Sequence, residues 1–244
     1  MGNPYFRFKQ FTVWHDRCAM KVGTDGVLLG AWAGQGCPDA FPGTILDIGT
    51  GSGLIALMLA QRFPGAQVTG IDIDAAAAAQ AAENFAASPW PQRLNSLHIS
   101  IQDFLCRAEA CQNRRFDLIV SNPPFYDTTL TSPDSQRTTA RHTSTLPYSE
   151  LMRCSASLLS DKGMLAIVIP AEYWKPIFHE ASANGLTLRH LTKVHSTPSS
   201  GIRRLLISFG KGEGPTGSDE VLLTGSDGNR SEWHRGLTGD FYLK

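Results

Sequence analysis

Four consecutive residues, Asn122-Pro123-Pro124-Phe125, hold the most specific chemistry in the sequence. A carboxamide oxygen followed by a proline carbonyl offers two hydrogen-bond acceptors side by side. The two pyrrolidine rings restrict the backbone and keep those acceptors in place. Such a pair suits the two N–H groups of an exocyclic aromatic amine, that of adenine for example. The lone pair of this amine is delocalised into the ring, so acceptors that favour a pyramidal nitrogen make it nucleophilic and turn it toward an electrophile. An amide serves better than a carboxylate, because the amine has no proton to lose until it has attacked. Catalysis is then positioning and electrostatics, with in-line attack on an electrophilic methyl group and later proton loss to solvent. Phe125 would stack on the base. The plainer reading of Asn-Pro-Pro is a rigid turn.

A second constellation precedes it. Asp47-Ile48-Gly49-Thr50-Gly51-Ser52-Gly53 ends an apolar run, and its glycines let a ligand approach the backbone at the N-terminus of the following helix. The dinucleotide fingerprint would need Gly at position 54, where Leu54 stands, so a nicotinamide dehydrogenase is excluded. Asp47, two residues before the first glycine, suits a ligand with positive charge. Asp72 lies 19 residues beyond Gly53, where a carboxylate accepts bonds from ribose hydroxyls, and Ile73 would pack on a base. Asp103 is expected to close the next strand and accept from an exocyclic amine, with Phe104 as an apolar wall. Each Asp alone would serve equally well as a helix N-cap. Three of them at successive strand ends point to a nucleoside of cationic character, and S-adenosylmethionine is such a molecule.

The elements that must carry these residues alternate. Strands are expected over 44–48, 68–73, 97–101, 116–121 and 164–169, with helices over 54–62, 75–87 and 149–159. That order means a parallel sheet with helices on both faces. Segments 186–194 and 202–209 have no helix between them and should form an antiparallel pair at the sheet's edge. The tail over 212–239, rich in Gly, Ser and Asp, reads partly as loop. Residues 1–43 form an N-terminal extension to a domain over 44–244.

Composition fits a globular chain: 244 residues, 42% hydrophobic and 18% charged, with 22 Lys+Arg against 22 Asp+Glu. No apolar run approaches the ~18 residues of a membrane span, and the first ten residues lack a signal-peptide core, so a cytoplasmic protein is expected. The five scattered cysteines form no C-x-x-C and read as reduced, buried thiols rather than metal ligands. Neutrality hides polarity. Residues 1–21 carry four basic and one acidic residue, 22–83 one and six, and 186–211 five and none. The last stretch suggests a local basic face.

The glycine run from Asp47 to Gly53, Asp72, Asp103 and Asn122 to Phe125, in that order, resemble class I S-adenosylmethionine-dependent methyltransferases that modify exocyclic or amide nitrogens. Residues 21–32, the Ala140-Arg141-His142-Thr143 segment with Leu146, and the Asp240-Phe241-Tyr242-Leu243 ending resemble the bacterial tRNA1(Val) (adenine(37)-N6)-methyltransferase family. The resemblance implies a Rossmann-like fold with a mostly parallel seven-stranded sheet and an antiparallel C-terminal strand. It implies methylation of adenosine 37 beside the anticodon, and places Lys21 and Thr24 near the methionine end of the cofactor. Tyr126, Arg137, Arg141, His142, Lys193, Arg203 and Arg204 are the residues expected to meet the RNA, in the anticodon loop. Adjacent Arg203 and Arg204 should point to opposite faces of their strand, and Arg189, Leu191 and Lys193 should share one face. Two related activities use similar motifs, N2-guanine methylation of ribosomal RNA and glutamine N5-methylation of release factors. Enzymes of the former kind usually carry a duplicated domain, for which 244 residues leave no room, and those of the latter a helical N-terminal domain, for which residues 1–43 are too few and too aromatic. A nucleoside- or RNA-binding module without catalysis would not need Asn122, Asp72 and the glycines together.

Overall fold

Apolar alternation from residue 44 onward builds a central sheet. The computed structural model describes residues 3–35, 43–110, 115–124 and 146–243. A hairpin, β1 (Tyr5–Arg7) with β2 (Thr12–Trp14), precedes helix α1 (Thr24–Trp32). Then follow β3 (Thr44–Ile48), α2 (Leu54–Arg62), β4 (Gln67–Asp72), α3 (Ala75–Ala86), β5 (Leu94–His98), α4 (Ile101–Ala110) and β6 (Phe116–Ser121). Beyond β6 come α5 (Tyr148–Leu158), β7 (Leu159–Pro170), α6 (Trp174–Ala183), β8 (Leu186–His195), β9 (Ile202–Lys211), β10 (Gly217–Leu222) and α7 (Glu232–Thr238).

The sheet has eight strands in the order β10-β8-β9-β7-β6-β3-β4-β5, one more than the sequence suggests. The order reverses between β3 and β6, and a ligand crevice lies at the strand C-termini beside such a reversal. Strands β8 and β9 do pair antiparallel, but not at the edge, because β10 adds to β8 in parallel. That strand comes from the tail read partly as loop; as an edge strand it buries little, so its sequence carries few apolar residues. Two strand boundaries also move: β7 begins at Leu159 rather than 164, and the third strand shifts. It spans Leu94–His98, and Ile101 already begins α4. Ser100 caps that helix: its Oγ accepts from Asp103 N at 3.1 Å and donates to Asp103 Oδ2 at 2.7 Å, a reciprocal capping arrangement.

Period-two alternation divides the core between the two sheet faces. Leu118, Val120, Ala166, Val168 and Leu206 face α1 and α2 with Leu28, Trp32, Leu57 and Met58. Leu46, Ile119, Leu165, Ile167 and Ile207 face α4, α5 and α6 with Phe104, Leu151 and Ile177. Each fully buried aliphatic side chain contributes about 1.5–3 kcal/mol, which makes the sheet a rigid platform for its loops. The N-terminal residues join the first of these clusters through Phe8, Phe11 and Val13. The Trp32 indole N–H donates to Thr192 Oγ1 at 3.0 Å inside the core, fastening α1 across the sheet. Near the chain's other end, Lys9 N donates to Phe241 O at 2.8 Å and the Phe8 ring stacks on Tyr242 with centroids 6.0 Å apart.

Candidate active site

Loops following β3, β4, β5 and β6 enclose a cavity of about 660 Å3, completed by residues 18–26 and by Arg204. This is in the upper half of the ~300–1,000 Å3 that small-molecule sites occupy.

The glycine turn supplies its floor. Gly49, Gly51 and Gly53 have φ of +71°, +55° and +80°, a region that residues with a side chain enter at a cost. At Gly49 a Cβ would meet nothing within 4 Å, so that face of the turn is open to a ligand. At Gly53 a Cβ would stand 2.4 Å from Phe85 Cε1, so that glycine is required by packing. The turn is braced from both sides. Gly49 N and Thr50 N donate to Ile71 O at 2.9 and 3.0 Å, and Gly51 N donates to Asp72 Oδ2 at 2.8 Å. Asp72 Oδ1 accepts from Asp74 N at 2.9 Å. Each carboxylate oxygen keeps a further lone pair for a ligand hydroxyl. Partial burial raises the Asp72 pKa against the opposing pull of these backbone bonds.

Asp47 stands elsewhere than expected. It is fully buried beneath the turn and absent from the cavity wall, and its Oδ2 accepts from the Thr50 hydroxyl at 2.7 Å. Burial pushes its carboxyl up to about 7. Through Thr50 it braces the turn from below. Asp103 and Phe104 do not line the cavity either. The shift of the helix start puts Asp103 in its first turn, exposed and engaged with Ser100, while Phe104 packs in the core 6.0 Å from Phe116. Ile99, Ser100, Ile101 and Gln102 take that part of the wall, and Ile73, which is 54% exposed, lines the space as an apolar surface.

Asn122, Pro123 and Pro124 form the far wall. Ser121 Oγ donates to Ile48 O at 2.9 Å, tying the end of β6 to β3 just before the motif. The Asn122 Oδ1 is buried and has no hydrogen-bond partner among the described residues. An orphaned acceptor of this kind costs about 1–3 kcal/mol, so it is a feature to be accounted for by a ligand. Phe125, Tyr126, Arg137, Arg141 and His142 lie outside the described residues.

Residues 18–26 are held over the cavity by contacts that sequence reading passed over. Asn84 on α3 accepts from Trp14 N at 3.0 Å and donates to Trp14 O and Ser52 O, both at 2.8 Å. Gln80 accepts from Arg17 N at 3.0 Å, and His15 Nδ1 accepts from Val22 N at 3.2 Å. The Ala-rich α3 therefore carries two polar anchors, recognisable only as the two amides on its buried face. Lys21 and Thr24 line the space, and so does Cys18, whose thiol burial pushes up to about 11. Cys154 is buried but Cys106 is exposed, so the thiols are not uniformly core residues; Cys37 and Cys111 lie outside the described residues.

The basic stretch is less free than its charge suggests. Arg189 Nη2 donates to Lys211 O at 2.7 Å and Gly212 O at 2.9 Å, and Lys211 Nζ donates to Leu159 O at 2.7 Å. A register shift between Leu188 and His190 breaks the alternation that would have put Arg189 on one face with Lys193. Arg203 is exposed, whereas Arg204 turns into the cavity wall with its Nε 2.5 Å from Asp25 Oδ1. No described helix is long and apolar enough to cross a membrane, and no group of three or more His, Cys, Asp or Glu among the described residues is placed to hold a metal.

Residues 35–176 match the family model of the methyltransferase small domain. The chain is 45% identical over 244 residues to tRNA1(Val) (adenine(37)-N6)-methyltransferase of Bacteroides fragilis, covering 100% of both. With the protein of that name from Klebsiella pneumoniae it shares 44% identity over 98% of this chain and 94% of that one. Among solved structures, a predicted O-methyltransferase from Agrobacterium tumefaciens superposes with a TM-score of 0.67 at 18% identity, over 89% of this chain and 96% of that one, a likeness of fold.

Proposed function

The chain belongs to the tRNA1(Val) (adenine(37)-N6)-methyltransferases of the methyltransferase small domain family, and from that premise we propose that it transfers a methyl group from S-adenosylmethionine to N6 of adenosine 37 in tRNA1(Val). The residues present fit this cofactor. The open face of Gly49, the spare lone pairs of Asp72 and the apolar surface of Ile73 suit the backbone, ribose and base of a nucleoside, and Lys21 and Thr24 suit its polar amino-acid end. When bound, S-adenosylmethionine supplies an electrophilic methyl group on a sulfonium centre.

The observation that carries the reading is the unpartnered Asn122 Oδ1 in the wall of this cavity. With the Pro123 carbonyl it provides two acceptors for the two N–H groups of the adenine amine. Their pull favours the pyramidal nitrogen, and the rigidity of Pro123-Pro124 means that little reorganisation is needed as charge develops on that nitrogen. The target base leaves its stack to reach Asn122, at low cost for a loop nucleotide. Asp47 holds the glycine turn through Thr50, and Asn84 and Gln80 hold residues 14–17 beside it, so the two walls stay in register.

The test is transfer of labelled methyl to an unmodified tRNA1(Val) transcript, with the product mapped by nuclease digestion and mass spectrometry. N6-methyladenosine at position 37 is the expected product. Label on ribosomal RNA or on a release-factor glutamine, with the tRNA inert, would move the chain to one of the related activities.

A further inference from the structure

Arg204 occupies a position that the cofactor does not explain. It starts the inner part of β9, where its backbone partners Pro170 on β7, and β7 lies on the side of β6 away from the glycine turn. Along the sheet, the nucleoside-binding turn, Asn122 and Arg204 therefore follow one another in that order. Its side chain is 22% exposed and lines the cavity with Asp25, which is 33% exposed. Asp25 lies in the first turn of α1, next to Gly26, where a Cβ would come within 4.0 Å of Asn122 Nδ2.

The contact between the two is close but one-sided. Arg204 Nε and Asp25 Oδ1 are 2.5 Å apart, yet both atoms are buried without a properly directed hydrogen bond. The ion pair draws the Nε side of the guanidinium to Asp25 by charge, and the Nη edge has no hydrogen-bond partner among the described residues. A planar guanidinium held on one edge presents two parallel N–H donors on another, the geometry that matches a phosphate or carboxylate oxygen pair. The carboxylate also offsets the positive charge of Arg204 in a cavity that must admit a cationic cofactor.

We propose that Arg204, oriented by Asp25, receives a backbone phosphate flanking the nucleotide whose base stands at Asn122. Arg204 is thus a substrate-positioning residue, and Asp25 acts through it. The inference rests on the function proposed above, since it takes the ligand to be RNA. It differs from a general basic face: one phosphate, not the local charge density, is the recognised group.

An anticodon stem-loop carrying a single neutral methylphosphonate, 5′ or 3′ of the target adenosine, tests this in wild type and in Arg204→Gln. At one of the two positions the methylphosphonate should raise the wild-type KM about tenfold with kcat within about threefold, and should cost Arg204→Gln nothing further. On unsubstituted RNA, Arg204→Gln should show the same rise in KM, and its dependence of log KM on log salt should flatten by roughly one phosphate contact, a slope of about 0.7–0.9. Arg204→Lys should recover part of the loss, and calorimetric cofactor affinity should stay within about twofold in both variants. If neither methylphosphonate weakens wild type, or if both weaken wild type and Arg204→Gln equally, the inference falls while the proposed function stands. Absence of transfer by wild type to the unsubstituted stem-loop would overturn both.

Discussion

Truncating Asn122 to Ala separates the two readings of the Asn-Pro-Pro segment. If the segment is only a turn, the side chain should stabilise the fold; if it serves the amine, the side chain is a cost that the fold carries for function. The Oδ1 is buried and unpartnered. Removing such an atom relieves a desolvation penalty of about 1–3 kcal/mol, against which stands the loss of a few packing contacts. The net change should fall between about zero and 2 kcal/mol of stabilisation, a rise in Tm of up to ~4–8 °C for a chain of this size. Catalysis should move the other way. Loss of one preorganised partner of developing charge costs about 10²–10³ in rate, or ~3–4 kcal/mol of barrier. Single-turnover methyl transfer, thermal unfolding and calorimetric cofactor binding on one preparation give all three quantities. A variant that keeps its rate within tenfold of wild type, or that loses more than ~4 °C in Tm, would refute the assignment of Asn122 as the amine acceptor.

Two further outcomes concern the floor of the site. The Asp47 carboxyl, raised by burial to about 7, binds its proton more tightly folded than unfolded. Its contribution to stability is therefore full at low pH and is lost as pH rises through about 7; between pH 5 and pH 8 wild type should lose roughly 2–3 kcal/mol more than Asp47→Asn, read from urea titrations at each pH. Parallel curves for the two proteins would show that Asp47 ionises normally. Gly53→Ala and Gly49→Ala should divide stability from binding. The former meets Phe85 at 2.4 Å and should cost about 2–5 kcal/mol of stability; the latter meets no atom within 4 Å, should cost only ~1–2 kcal/mol, and should weaken cofactor binding because its methyl fills the ligand's space. Equal losses of stability in urea would contradict the distinction.

The parts of the site that are contiguous in the chain are legible in the sequence. Asn122-Pro123-Pro124 and the glycine turn sit at strand ends where the chain itself sets their geometry, and Asp72 follows from the strand beside them. Parts that depend on distant partners are not legible. Asp25 and Arg204 are far apart in sequence and look like two ordinary surface charges until β9 is laid beside β7. Asn84 and Gln80 are likewise unremarkable amides until β2 is placed on α3. The misplacement of Asp103 has a local cause. Leu97 to Ile101 alternates well enough for a strand, and the competing Ser-x-x-Asp capping pattern over Ser100 and Asp103 wins once the helix buries Phe104 and Leu105. Strand β10 fails for the opposite reason: an exposed edge needs no hydrophobic period.

The contact between Lys9 N and Phe241 O, with Phe8 on Tyr242, joins residues more than two hundred positions apart. The closure entropy of such a contact grows only slowly with the length of chain it encloses, so the wide separation is affordable once the sheet between is built. The hairpin ahead of the cavity wall thus takes its aromatic seat from Phe241 and Tyr242, residues that follow every strand of the sheet. Loss of the Phe8–Tyr242 contact should therefore loosen the hairpin, while Asn84 and Gln80 on α3 still hold residues 14–17 beside the cavity.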